Sequence, residues 1–353
     1  MLSLDIRCAL ERDVVGQSRP VQTIVRALTV SLAGLAQPGS PLGIYLFVGP
    51  TGTGKTHLAR SVAKLLHGDP RLLAVVDCIQ IGGPDDWGAL TRQIAPHFRE
   101  PVPGQGDAVV SMGPLSVLLV EHLECARPDL VQALFTALES GYLMLPDGRC
   151  GNLAGCLTLV TSSLCAREIY DAARPEIGFS PAREIEETER ARIYQSVCVA
   201  ADKLWGPDFL GHLDDLLVFH PLTEADLPFI LRRLILQINE RLAVRGVSCE
   251  LEPEAARFLL SRGAAFLRNG AWTLARVVRR FVLFPVADLV HAGDLPPGSR
   301  IRVAADGDQR LRFDVRSGTP QAVVARADRD PRIEVPVEWD SLSDGVVPGL
   351  PGA

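Results

Sequence analysis

Apolar residues follow two rhythms along this chain. Five stretches are almost continuously apolar: Ile44-Tyr45-Leu46-Phe47-Val48, Leu72-Leu73-Ala74-Val75-Val76, Ser116-Val117-Leu118-Leu119-Val120, Cys156-Leu157-Thr158-Leu159-Val160 and Leu216-Leu217-Val218-Phe219-His220-Pro221-Leu222. Short runs without alternation predict parallel strands covered on both faces. Between them, apolar positions recur at helical spacing, over 21–30 (closed by Gly34 and Pro38), 57–66 and 128–140. Strands alternating with helices predict an α/β layered domain over residues 1–221, with the first 40 residues helical. Residues 183–204 begin with dense charge and little apolar periodicity, which predicts an exposed helix.

Beyond Leu222 the rhythm changes. Amphipathic helices are predicted over 224–245 (ended by Gly246), from Pro253 to Ser261 and from Leu274 to His291. A short β pattern follows in Arg300-Ile301-Arg302-Val303 and Leu311-Arg312-Phe313-Asp314-Val315. These elements predict a second, small and mostly helical domain over 222–315. Residues 316–353 are rich in proline, glycine and charge, and are expected to be disordered.

The first apolar run leads into Gly49-Pro50-Thr51-Gly52-Thr53-Gly54-Lys55-Thr56, and a helical pattern leads away from it. This fits the phosphate-binding loop G-x-x-x-x-G-K-[ST] in the strand–loop–helix setting that the motif requires. Glycines let backbone N–H groups curl around an anion, and the helix N-terminus adds positive potential. Lys55 is placed to reach the β- and γ-phosphates, and the Thr56 hydroxyl to hold Mg²⁺.

Composition narrows the partners. A net charge of −6 offers no broad basic surface to nucleic acid. The eight cysteines form no C-x-x-C pair, so a reduced, cytoplasmic setting is expected. The first residues lack the order of a signal peptide, and no apolar stretch is long enough to predict a membrane span.

Further residues carry a resemblance. Val14-Val15-Gly16-Gln17, Ser31-Leu32-Ala33-Gly34-Leu35, the phosphate loop, Ala126-Arg127-Pro128-Asp129, Thr161-Ser162, Pro207-Asp208-Phe209-Leu210, Val218-Phe219-His220-Pro221-Leu222 and Asn269-Gly270-Ala271 occur in this order. Across about residues 8–315 the chain resembles the C-terminal ATPase module of Clp-family AAA+ unfoldases and disaggregases. The resemblance implies a P-loop NTPase domain with a parallel sheet and a small C-terminal lid domain. It also implies ATP or ADP held with Mg²⁺ at their junction, Val14 and Val15 near the adenine, and assembly with other AAA+ ring subunits.

Four places depart from the family pattern. The Asp-Glu pair that ends the strand before Ala126 is Glu121-His122 here. Glu121 retains a carboxylate for Mg²⁺. For His122 two readings stand, a general base near neutral pH or a residue that merely fills the space. The sensing asparagine is Ser163, with its hydroxyl but shorter reach. The arginine-finger place is His212, which lacks the guanidinium fork. The second sensor arginine is Trp272, flanked by Arg268 and Arg276.

An arginine finger contributes about 10³–10⁵ in rate and a general base about 10²–10⁴. The pattern therefore predicts a nucleotide-binding protein weak or deficient in hydrolysis, acting as an assembly or regulatory subunit. The alternative is an active, divergent unfoldase in a homo- or hetero-hexamer. No tyrosine follows Ala95-Pro96, where the family carries its pore loop, so 97–104 is expected to be an ordinary exposed loop, with Phe98 the substitute if one exists. Ile177-Gly178-Phe179 resembles the tripeptide through which related unfoldases dock on a peptidase.

Overall fold

The computed structural model describes residues 3–37, 39–69, 72–83, 85–113, 115–173, 187–265, 267, 270–292, 295–306 and 310–316. The chain divides into two compact units, Met1–Pro221 and Leu222–Ala353.

In chain order the first unit runs α1 (Ser3–Asp13), α2 (Ser18–Leu32), β1 (Gly43–Val48), α3 (Lys55–His67), β2 (Ala74–Asp77), α4 (Asp86–Ile94), β3 (Glu100–Pro101) and β4 (Val109–Ser111). It continues with β5 (Val117–Glu121), α5 (Pro128–Ser140), β6 (Tyr142–Met144), β7 (Cys150–Asn152), β8 (Leu157–Ser162), α6 (Ala166–Ala172), α7 (Glu187–Trp205) and β9 (Asp215–Val218). Five of these strands form one parallel sheet in the order β2-β5-β8-β1-β9.

The continuous apolar runs have a direct cause. In β1, Ile44, Leu46 and Val48 join the core that includes α5 and α7, while Tyr45 and Phe47 join the opposite core with α1, α2 and α3. Side chains alternate faces along a strand, and both faces are covered, so every position is apolar.

Two expectations need correction. The helix after residue 183 is not simply exposed, because Ile193, Val197, Ala201 and Trp205 are buried in the core. Their four-residue spacing is a helical stripe that charged neighbours mask in the sequence. The stretch after Pro96 is also more than a loop. Phe98 is only 2% exposed and packs over Gly151, whose missing Cβ would lie 2.8 Å from the ring. Beyond it, β3 and β4 join β7 and β6 in a small four-stranded sheet of order β3-β4-β7-β6. Phe98 is therefore a core anchor of this sheet and is unavailable to grip a peptide.

The second unit contains α8 (Leu227–Ala243), β10 (Ser248–Leu251), α9 (Pro253–Ala264), α10 (Ala271–Val278), α11 (Phe284–His291), β11 (Arg300–Asp306) and β12 (Arg310–Arg316). Strand β10, which the pattern did not reveal, pairs in parallel with β11, and β11 pairs antiparallel with β12. Leu231, Ile235, Leu259, Leu274, Val278, Ile301 and Val303 form its separate core. A π-helical turn, Arg279–Leu283, joins α10 to α11. Pro285, the second residue of α11, cannot donate to the preceding turn, so wider winding there avoids its ring.

All eight cysteines are free. Among the described residues no helix is long and apolar enough to cross a membrane. Ile177, Gly178, Phe179, Arg268, Asn269 and the stretch 317–353 lie outside the described residues.

Candidate functional site

The carboxyl ends of the parallel strands build the site, as expected for open α/β sheets. Strand β1 ends at Val48, and the loop Gly49–Gly54 turns the chain into α3. Gly49 donates its N–H to Ser162 O at 3.4 Å, which ties the loop to the end of β8. Gly54 has φ of +108°, open to glycine, and delivers the first N–H groups of α3 to the loop's concave side. Thr53 is buried and donates to Pro50 O at 2.9 Å, which holds the loop's shape.

Lys55 Nζ donates to Gly49 O at 2.5 Å and Pro50 O at 2.8 Å. Burial lowers its pKa to about 8, against the opposing pull of Glu124. A lysine so desolvated gains strongly from an anion within reach.

Thr56 Oγ1 donates to Glu121 Oε1 at 2.5 Å. A hydroxyl and a carboxylate oxygen meeting beside a phosphate loop are hard donors that suit Mg²⁺. Val14 is buried, and its Cγ1 lies 3.6 Å from where a Cβ on Gly54 would stand. Val15 follows it, half-buried. Val14 thus adjoins the loop Gly49–Gly54.

The sheet order brings further groups together. Asp77, at the end of β2, pairs in register with Glu121 at the end of β5. His122 Nδ1 lies 3.1 Å from Asp77 Oδ1, and the His122 N–H donates to Thr161 Oγ1 at 3.4 Å. Ser163 donates from both its N–H (3.1 Å) and its hydroxyl (2.5 Å) to Glu124 Oε1. Those hydrogen bonds hold the Glu124 carboxyl below its usual range, although burial pushes it the other way. Asp77 and the Glu124–Ser163 pairing escaped the sequence reading. Their only sequence signal is position at the carboxyl end of parallel strands.

Within the first unit, His212 is not brought to this cluster. His212 Nδ1 lies 2.7 Å from Glu139 Oε1, and its ring packs on Phe135 with centroids 6.1 Å apart. Trp272 belongs to the second unit, on α10, and is 64% exposed, with Arg276 exposed one turn later.

One missed residue braces the site. Gln17 is buried and clamps the backbone of His220, donating to its carbonyl at 2.9 Å and accepting its N–H at 3.1 Å. His220 Nδ1 is buried without a hydrogen-bond partner among the described residues. Burial, then the charges of Arg190 and Arg19, lower the His220 pKa to about 4.

A histidine whose folded pKa is depressed stabilises the fold fully above its unfolded pKa of about 6.5, and that contribution is lost as pH falls towards 4. We expect the first unit to lose about 3 kcal/mol from this group by pH 4. Denaturant melts from pH 7 to 4 check this: His220→Gln should flatten the acid limb, and an unchanged limb contradicts it.

Residues 40–216 match the model of the AAA domain (Cdc48 subfamily), and residues 222–303 match the C-terminal, D2-small domain of ClpB protein. The chain is 30% identical over 322 residues to the chaperone protein ClpB of Rhizobium meliloti, covering 86% of this chain and 33% of that protein. It is 27% identical over 318 residues to the ATP-dependent Clp protease ATP-binding subunit ClpC of Staphylococcus aureus, covering 90% of this chain and 38% of that protein. The chain thus spans about a third of the length of these relatives. A closed-state cryo-EM reconstruction of Hsp104 with ATPγS and FITC casein shares the fold, with a TM-score of 0.67 at 21% identity over 88% of this chain and 51% of that one.

Proposed function

Since the chain belongs to the AAA-domain family and carries a ClpB-type small domain, we propose that it is a Clp-like protein that binds ATP and ADP with Mg²⁺ and hydrolyses ATP weakly. In this reading nucleotide sets its conformation, and it acts as an assembly or regulatory subunit alongside other AAA+ ring subunits.

One observation carries the reading. Lys55, at the start of α3, reaches back to the loop carbonyls of Gly49 and Pro50, and Thr56 meets Glu121, the arrangement that a cradle for α- and β-phosphates and a metal requires. The groups due to act on the γ-phosphate are changed in kind and engaged elsewhere. Ser163 is hydrogen-bonded to Glu124 and His212 Nδ1 lies 2.7 Å from Glu139 Oε1, while Trp272 cannot neutralise charge. Neither a serine hydroxyl nor a histidine reproduces the guanidinium of an arginine finger, worth about 10³–10⁵ in rate.

Equilibrium binding of labelled ATP and ADP, with phosphate release measured in the same samples, tests this. The expected result is saturable, Mg²⁺-dependent binding with turnover about 10³-fold below a ClpB protein assayed alongside. Absence of binding overturns the reading, as does turnover equal to that of the ClpB control. The second reading, an active ring in which a neighbour supplies the missing cation, rests on the intact cradle and predicts turnover that rises only when candidate partner subunits are mixed in.

A further inference from the structure

We propose that residues 332–340 add to the open edge of β12 as a further antiparallel strand of the second unit's sheet. The inference is independent of the nucleotide-binding reading above.

Among the described residues β12 pairs with β11 alone, so one side of its backbone is open. Ser299 O accepts from the Ser248 N–H at 3.1 Å, and Val303 O accepts from the Glu252 N–H at 2.9 Å. Odd-numbered residues of this segment therefore face β10. The even-numbered residues of β11 face β12 instead, where they stand opposite Arg316, Asp314, Arg312 and Arg310. The N–H and C=O groups of Leu311, Phe313 and Val315 thus point out of the sheet.

The side chains along this edge are incompletely covered. Ile301 is 0% exposed, whereas Val315, directly opposite it, is 37% exposed. Leu311 and Phe313 share that face and are half-buried against the unit's core. On the other face Arg310, Arg312 and Arg316 are exposed, and no ion pair among the described residues engages Arg310 or Arg316. An open edge is a template for another strand. This one calls for apolar residues at alternate positions with acids between them.

Residues 332–340, which lie outside the described residues, have that pattern. The composition of 317–353 as a whole predicts disorder, yet within it Ile333, Val335, Val337 and Trp339 alternate strictly with polar or proline positions. One antiparallel register suits every position of β12. It sets Glu334 opposite Arg316, Glu338 opposite Arg312 and Asp340 opposite Arg310, so each arginine of the strand meets an acid. Pro336 then stands opposite Asp314, the one acid of β12. A slip of two residues in either direction sets a glutamate opposite Asp314 instead.

The same register places Val335 beside Val315, Val337 beside Phe313 and Trp339 beside Leu311, extending the core face. Val335 and Val337 present their N–H groups to β12. Pro336, which has none, faces outward, where an edge strand tolerates it. Residues 317–333 reach about 50 Å when extended, more than the length of β12. So short a tether favours the chain's own edge over that of a second copy.

Hydrogen–deuterium exchange of the full chain, read at single amides, tests this. In the wild type, 332–340 and the Leu311, Phe313 and Val315 amides are expected to exchange at least about tenfold slower than an unstructured chain. Val337→Pro, which removes an inward N–H, is expected to abolish that protection. Glu338→Arg, which sets like charges opposite each other, is expected to reduce it about fivefold. Arg312→Glu combined with Glu338→Arg is expected to restore it. The even-numbered amides of β12, bonded to β11, should not change in Val337→Pro. Wild-type exchange of 332–340 at unstructured rates overturns the proposal, as does protection that survives Val337→Pro. Failure of the charge-swapped pair to restore protection overturns the register. Protection that appears only as chain concentration rises, with dimers in sedimentation, overturns the intrachain assignment and gives the segment to a second copy.

Discussion

Replacing Lys55 with alanine is expected to weaken Mg-ATP binding at least 100-fold and to leave the unliganded fold intact. The ammonium supplies the mobile positive charge of the phosphate loop, and each charge-assisted hydrogen bond to phosphate contributes about 1.5–3 kcal/mol. Two such bonds correspond to roughly two or more orders of magnitude in affinity. Without ligand the lysine adds little to stability. Its charge is buried, burial lowers its pKa to about 8, and its partners are two carbonyls of its own loop.

Thermal melts separate the two effects. A ligand at 100 times its Kd stabilises a native protein by about 2.7 kcal/mol, and a 100-fold loss of affinity cuts this to about 0.4 kcal/mol. For a unit of this size the wild type should gain about 5–10 °C with Mg-ATP, and Lys55→Ala about 1 °C. Unliganded melting temperatures should agree within about 2 °C. A variant stabilised by Mg-ATP as fully as the wild type would place the nucleotide elsewhere.

The altered positions share a feature that appears only in three dimensions. Each polar replacement in the first unit has gained a carboxylate partner: His122 has Asp77, Ser163 has Glu124, and His212 has Glu139. In sequence these partners stand 45 and 39 residues apart for the first two pairs. Nothing local in the chain announces them. They meet because β2, β5 and β8 are adjacent in one parallel sheet, and apolar runs alone do not fix strand order.

The strand, loop and helix around Gly49–Thr56, by contrast, were legible because their signal is local: glycine spacing, one lysine and one threonine between an apolar run and a helical pattern. The main-sheet strands were legible because coverage on both faces leaves an unbroken apolar run. The small sheet was not, because β3, β4, β6 and β7 have two or three residues each, too few for any period to show. Phe98 illustrates the consequence. In sequence it is an aromatic in a polar, proline-rich loop, and only the space left by Gly151 reveals that it is buried.

Gly49→Ala is expected to damage fold and site together, and the obstacle is backbone. Gly49 has φ of +148°, and an added Cβ would lie 2.3 Å from Phe219 O and 3.1 Å from Phe219 Cβ. No rotamer change relieves a clash with a carbonyl. Phe219 cannot retreat easily either. Its N–H donates to Val48 O at 2.7 Å, its ring packs on Phe47 at 5.0 Å, and the next residue is gripped on both backbone groups by Gln17. Strain at such a dihedral contributes about 1–3 kcal/mol and overpacking about 1–3 kcal/mol, so a loss of about 4 kcal/mol is expected. For this unit that corresponds to a fall in melting temperature of about 8–16 °C. Nucleotide affinity should fall as well, because Gly49 O holds Lys55 Nζ and moves with the loop. Gly82→Ala is the control: nothing lies within 4 Å of its added Cβ, and the change should stay within about 0.5 kcal/mol. A Gly49→Ala protein as stable as that control would mean that Phe219 and the Gln17 clamp yield freely, and the close approach of β1 to the segment after β9 would then be no constraint on the phosphate loop.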